Sequence, residues 1–146
     1  MSDGISSALK RRVFERASGL CEYCLIHDRD AWFGHQIDHI ISRKHGGGTT
    51  FANLALACMD CHLAKSSDPV SLTSRDGNPI PFFNPRQDRW AEHFNLNEHR
   101  IESIGETGAA TCRILGFNLS KRLMERRALL LKEHYPSLEA LALLRI

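Results

Sequence analysis

Asp38-His39, Asn53 and His62 are residue types that can do acid–base and metal chemistry. Histidine is the side chain whose unperturbed pKa suits a base near neutral pH. A carboxylate with one further protein ligand, the remaining positions filled by water, can hold a hard divalent ion. A phosphodiester hydrolase needs both functions: a base to activate water, and a cation to offset charge on the phosphate and the departing oxygen. Neighbours on a strand face opposite ways, so Asp38 and His39 suit separate roles, one as ligand and one as base. Taken singly these residues carry little. An Asp-His pair is usually a satisfied surface or core pair, and an Asn after a turn is usually turn chemistry.

Four of the five cysteines form two pairs, Cys21-Glu22-Tyr23-Cys24 and Cys58-Met59-Asp60-Cys61, that bracket most of these residues. Two thiolates on one turn can reach a single small cation, and a second pair completes a tetrahedron. The 33 residues between the pairs exceed a simple ribbon spacing, so something is inserted. Two disulfides or a redox pair are the alternatives. The absence of an export-signal pattern and of a thioredoxin-like βαβ context favours zinc. Four thiolates leave no open position, so such a site is structural, and it would clamp the first helix to the region around 58–62. Cys112 is left over, most simply as a small core residue.

The elements that must position these groups follow from periodicity. Residues 5–18 predict an amphipathic helix, with Leu9, Val13 and Ala17 on one face, Phe14 widening the stripe and Gly19 ending it. Gln36 to Ile41 predicts a strand, and Lys44 to Thr50 a glycine-rich turn. The apolar run Leu54-Ala55-Leu56-Ala57 has strand length, and a short helix is expected over Asp60 to Ser66. Residues 68–88 hold four of the five prolines and an Asp76-Gly77 turn signal, so they connect more than they pack. Trp90 to Leu96 and His99 to Ile104 suggest a hairpin around Asn97-Glu98. Helices are expected to resume near Thr107 and to run from about Ser120 to His134, with Leu123, Leu130 and Leu131 buried. Ser137 is placed to cap a last short helix.

The 146 residues, 42% hydrophobic and 25% charged, have the composition of one ordinary globular domain rather than a disordered chain. No segment approaches ~18 consecutive apolar residues, and Met1 to Ile5 lacks a signal-peptide pattern, so a cytoplasmic protein without a membrane partner is expected. The net charge of +2 does not by itself announce a nucleic-acid binder. Phosphate contacts would have to come from local clusters: Lys10, Arg11, Arg12 and Arg16, and Lys121, Arg122, Arg126 and Arg127. Solvated helix faces are the plain alternative for each.

The stretch from Cys21 to Lys65 resembles the HNH endonuclease family, whose members share a ββα-metal core. The resemblance rests on Cys21 and Cys24, then Ile37-Asp38-His39-Ile40, Lys44-His45-Gly46-Gly47, Asn53-Leu54-Ala55-Leu56-Ala57-Cys58, and Cys61-His62 followed by Lys65. Downstream, Pro85-Arg86, Asp88-Arg89-Trp90 and Glu92-His93-Phe94 resemble the region after the core in small free-standing bacterial members. The resemblance implies that His39 is the general base, that Asp38 and His62 hold the catalytic cation, and that Asn53 braces the loop and orients the base. Ser42 replaces a proline common in the family, a departure expected to affect only the turn. Lys65, one turn beyond His62, would face a phosphate or simply be solvated. His35 and His45 read as polar loop residues.

Together these readings predict an α+β fold: a zinc-clamped ββα-metal core over about 18–68, a C-terminal extension over about 69–146 with a hairpin, and flanking helices, all in one domain. They predict a metal-dependent endonuclease acting on DNA, with RNA not excluded, and the resemblance implies products with 3′-hydroxyl and 5′-phosphate ends. Its cofactors would be structural Zn2+ and a catalytic Mg2+, Mn2+ or other divalent transition metal, imidazole ligation favouring the softer ions. No obligate protein partner is implied. Two rivals stay open. A non-catalytic zinc-dependent nucleic-acid-binding module gives no reason for Asp38, His39, Asn53 and His62 to coincide. A toxin-type nuclease with an inhibitor partner would usually carry delivery or receptor domains.

Overall fold

Ser6 starts the first helix by accepting a hydrogen bond from the Leu9 amide at 3.1 Å, one of the N–H groups that a helix start leaves unpaired. Helix α1 (Ser7–Arg16) and the residue after it bury Val13 and Ala17, but Phe14 stays exposed and does not join the apolar stripe. The helix ends through Ser18 (φ 54°) and Gly19 (φ 75°). A Cβ on Gly19 would fall 2.5 Å from His27 Nε2, so both conformation and space reserve this position for glycine. The turn delivers the chain to Leu20, which bridges antiparallel to His27 and closes the loop that carries Cys21 and Cys24. The computed structural model describes residues 4–67 and 81–145, so most of the proline-rich connector, with Asp76-Gly77, lies outside the described residues.

Strand β1 (Gln36–His39) pairs antiparallel with β2 (Leu54–Ala57), with Asp38 opposite Ala55 and His39 opposite Leu54. The first strand ends two residues before the expected Ile41. The physical reason is that Asn53 captures the chain there, its carbonyl taking the Ile40 amide at 2.8 Å and its side chain the Ile41 amide at 2.9 Å. All four residues of β2 are buried. Leu54 and Leu56 pack with Val13 of α1, while Ala55 and Ala57 pack with the cysteines. A strand covered on both faces reads as a continuous apolar run rather than an alternation. Helix α2 (Met59–Ser67) follows directly.

In the extension, Trp90–His93 form a short helix, α3, in place of the expected strand. Its tryptophan indole donates to the Tyr23 carbonyl at 2.8 Å, which ties the segment to the cysteine loop and delays the strand to Phe94. The expected hairpin is present as β3 (Phe94–Asn97) and β4 (Arg100–Ser103). Helices α4 (Gly105–Leu115), α5 (Ser120–Leu131) and α6 (Leu138–Leu144) follow, the last capped by Ser137 as its sequence position suggests. Helix α5 departs most from expectation. Its buried residues are Arg122 and Arg126, whereas Leu131 is 74% exposed. The surface it covers offers thiols and carbonyls, which guanidinium groups satisfy and leucines do not.

Among the described residues the molecule is thus an α+β fold of six helices and two two-stranded antiparallel sheets. One cluster of buried side chains contains the four paired cysteines together with Phe83, Trp90, Phe94, Ile101, Phe117 and Tyr135 of the extension. No helix among the described residues is long and apolar enough to cross a membrane.

Candidate metal sites and active site

The two cysteine pairs are built alike. The Cys24 amide donates to Cys21 Sγ and the Cys61 amide to Cys58 Sγ, each at 3.4 Å. The four buried sulfurs lie within 4.8 Å of one another, with Cys24 and Cys58 3.6 Å apart, and all four are free of disulfides. Four sulfurs at ~2.3 Å from one tetrahedral zinc stand about 3.8 Å apart, so the donor set and spacing fit that ion. Charge makes the same point. Burial raises the pKa of Cys21 and Cys61, and hydrogen bonding to Cys21 raises that of Cys58. Cys24 is held low by hydrogen bonds from the other three. Thiolates crowded together in a buried site repel one another, and a bound cation offsets that charge. A fifth group completes the cluster: the buried Arg122 of α5 donates from Nη2 to Cys61 Sγ at 3.1 Å.

A second polar centre lies where α2 crosses β1. Asp38 is buried, and its Oδ1 stands 3.2 Å from His62 Nδ1. Its Oδ2 accepts from Lys65 Nζ at 2.7 Å and from the Tyr23 hydroxyl at 3.1 Å. Burial works against the Asp38 charge, but His62 and Lys65 more than offset it and hold the carboxyl below its usual pKa. His39 faces the other way, its Nε2 2.9 Å from Thr49 Oγ1, and burial, followed by the Arg43 charge, keeps its pKa below the ordinary histidine value. Asn53 holds the intervening loop by three bonds. Its Oδ1 accepts from the Ile41 amide, and its Nδ2 donates to the Ile41 and Gly48 carbonyls, all at 2.9 Å.

This arrangement of two strands, a helix and a four-cysteine cluster coincides with a known family. Residues 21–68 match the family model described as HNH endonuclease. Over residues 21–68 the chain is similar to HNH endonuclease domains. Neither the curated proteins nor the solved structures contain a significant match. The matched segment covers about a third of the 146 residues and spans both cysteine pairs, Asp38, His39, Asn53, His62 and Lys65.

The sequence-predicted residues within and around residues 21–68 differ in where the fold places them. The four cysteines converge, as do Asp38 and His62, with His39 and Asn53 on the adjoining loop side. Lys65 is neither solvated nor turned outward, because it is bound to Asp38 and to the carbonyls of His39 and Ile40. Of the basic clusters, Lys10, Arg11, Arg12, Lys121 and Arg127 are exposed. Arg122 and Arg126 are turned inward and are not available to phosphate: Arg126 is fully buried and donates to the His99 carbonyl and Asn118 Oδ1. Arg16 is also structural, donating to the Phe51 and Leu54 carbonyls on either side of Asn53. His35 lies in the loop before β1, its Nε2 2.8 Å from the Ile26 carbonyl, and His45 closes the 3-10 turn Arg43–His45, its Nδ1 2.8 Å from Ser42 Oγ.

Sequence reasoning misses four participants: Tyr23, Thr49, and the positioning roles of Arg16 and Arg122. Tyr23 carries a usable signal, since an aromatic hydroxyl inside a cysteine pair must find a polar partner if buried. Thr49 carries none.

Proposed function

We propose that the chain is a metal-dependent endonuclease that hydrolyses phosphodiester bonds in DNA. The observation that carries this reading is the convergence of Asp38 Oδ1 and His62 Nδ1, 3.2 Å apart, within the HNH domain. Two donors at ~2.1 Å from one octahedral cation stand about 3 Å apart, so the pair fits a shared divalent ion such as Mg2+ or Mn2+. Bound there, the cation would supply Lewis-acid relief of charge on the scissile phosphate and the leaving oxygen.

The remaining work falls to side chains. Lys65 and Tyr23 occupy Asp38 Oδ2 and so aim Oδ1 at the metal position. Thr49 takes the Nε2 side of His39, which in this reading leaves the Nδ1 lone pair to accept a proton from the attacking water. Burial and the Arg43 charge shift His39 toward the neutral imidazole, the form a base requires. Asn53, through the Ile41 and Gly48 carbonyls, fixes the loop that carries Thr49. Adjacent positions on β1 thus divide the labour, Asp38 toward the metal and His39 toward the water.

The test is incubation of the zinc-loaded protein with supercoiled plasmid, single-stranded DNA and RNA across a series of divalent cations. Cation-dependent cleavage of DNA, removed by chelation, is the expected result. Binding of DNA without cleavage under every cation would overturn the reading in favour of a non-catalytic module, and cleavage of RNA alone would overturn the substrate.

A further inference from the structure

Three polar side chains of the extension end on the cysteine loops. Trp90 Nε1 donates to the Tyr23 carbonyl at 2.8 Å, the Tyr135 hydroxyl donates to the Cys24 carbonyl at 2.7 Å, and Arg122 Nη2 reaches Cys61 Sγ at 3.1 Å. The third differs in kind because it brings a permanent charge. Arg122 is 5% exposed. Its Nη1 is held by the Leu115 carbonyl at 2.6 Å, its Nη2 also lies 3.8 Å from Cys58 Sγ, and its Nε is 4.0 Å from Asp60 Oδ2. A guanidinium keeps its proton at any ordinary pH, so burial must be matched by negative charge nearby. Asp60 is 41% exposed in its side chain and at the limit of ion pairing, which leaves the sulfurs as the principal counter-charge. Four thiolates around a dication leave two negative charges in a buried site.

We infer that Arg122 is the outer-sphere counter-cation of the metal–thiolate cluster, so that metal retention and docking of helix α5 are one event. The inference rests on the zinc reading of the four cysteines. The geometry is that of a charge-assisted hydrogen bond to a ligand sulfur, with the rest of the guanidinium anchored on a helix-end carbonyl. It gives the extension a role in the HNH domain beyond covering it: α5 supplies part of the electrostatics of the site. It also accounts for an arginine on the buried face of a helix where leucine would ordinarily stand.

The test uses the full chain, zinc-loaded, as wild type and as Arg122→Lys, Arg122→Gln and Arg122→Met, each in competition with a chelator of known affinity. Loss of an outer-shell partner commonly weakens metal binding about 10–100-fold, and that range is expected for Arg122→Met. Arg122→Gln, a donor without charge, is expected to fall between Met and Lys. Folded Met and Gln variants that hold zinc as tightly as wild type would overturn the role of Arg122 while leaving the zinc reading intact. A wild-type protein that takes up no zinc would overturn both. Should the Met and Gln variants fail to fold, hydrogen exchange on wild type stripped of zinc decides. Loss of protection across Ser120–Leu131 together with residues 58–61 supports the coupling, and an α5 as protected as before overturns it.

Discussion

His39 and Asp38 are neighbours in the chain, but their side chains share no hydrogen-bond partner among the described residues, and this makes their substitution effects separable. The His39 ring meets Thr49 and lies outside both buried clusters, so His39→Ala should leave fold and zinc content intact. Cleavage should fall by on the order of 10²–10⁴-fold, the usual contribution of a general base. Near wild-type cleavage by the purified variant in magnesium would remove His39 from the role. Cys61 and His62 offer a second contrast. On α2 their side chains diverge by about 100°, Cys61 toward the sulfur cluster and His62 toward Asp38. Cys61→Ser takes a thiolate from a site whose binding energy is also folding energy, so loss of zinc and partial unfolding are expected. His62→Ala should stay folded with one zinc bound and cleave poorly, partly rescued by high manganese. Zinc quantification, circular dichroism and plasmid cleavage on both variants make the comparison, and a His62→Ala protein without zinc would contradict two separate sites.

At the scale of elements, the loop between β1 and β2 is held from both sides. Asn53 binds Ile41 and Gly48 from within, and Arg16 of α1 holds the carbonyls of Phe51 and Leu54 from outside. Gly47 lies at the closest approach: a Cβ there would fall 1.7 Å from the Ile41 carbonyl oxygen and 2.7 Å from Asn53 Nδ2. Alanine at 47 cannot be accommodated by a rotamer change, because the opposing atom is backbone. Gly47→Ala should therefore spread the loop and displace Thr49 and His39. A misplacement of about 1 Å can cost on the order of 10²-fold in rate. The expected protein binds zinc normally and cleaves slowly, and unchanged cleavage would show that the loop does not position the site.

For the whole molecule, the small net charge of +2 conceals a division of the basic residues. Lys10, Arg11, Arg12, Lys121 and Arg127 are exposed, Arg12 lying 4.1 Å over the Phe51 ring, whereas the Arg16, Arg122 and Arg126 guanidinium groups end on atoms within the fold. Neutralising the first set should flatten the dependence of log DNA affinity on log salt by about 0.9 for each phosphate that the protein no longer neutralises. An unchanged slope in titrations of such a variant would make these residues ordinary solvated faces. Arg126→Met should act on stability instead. It strips the His99 carbonyl of its side-chain donor, at a cost of about 1–3 kcal/mol for the group left unsatisfied, while Asn118 Oδ1 keeps the Ile101 amide at 3.1 Å. A lower midpoint of thermal unfolding with the salt slope preserved is the outcome that separates the two sets.

The sequence by itself determined what is local and what is chemically exclusive. Two cysteine pairs in turns favoured one shared metal over two disulfides or a redox pair, and the order of Asp38, His39, Asn53 and His62 marked the segment that resembles the HNH core. Period, turn signals and caps located α1, α2, the hairpin and the Ser137 cap, and the length of the apolar run located β2. Only the tertiary structure decided which polar side chains turn inward. A lysine or arginine has the same sequence signature whether it meets water, a phosphate or a buried sulfur, so from sequence Lys65, Arg16, Arg122 and Arg126 read as surface. Their partners, Asp38, the carbonyls beside Asn53, the Cys61 sulfur and the His99 carbonyl, lie 27 to 61 residues away in the chain. Interactions of that span leave no periodicity. The same reason explains the early end of β1 and the helical turn at Trp90: in each case hydrogen bonding to a residue distant in the chain, Asn53 or Tyr23, overrides the local strand preference.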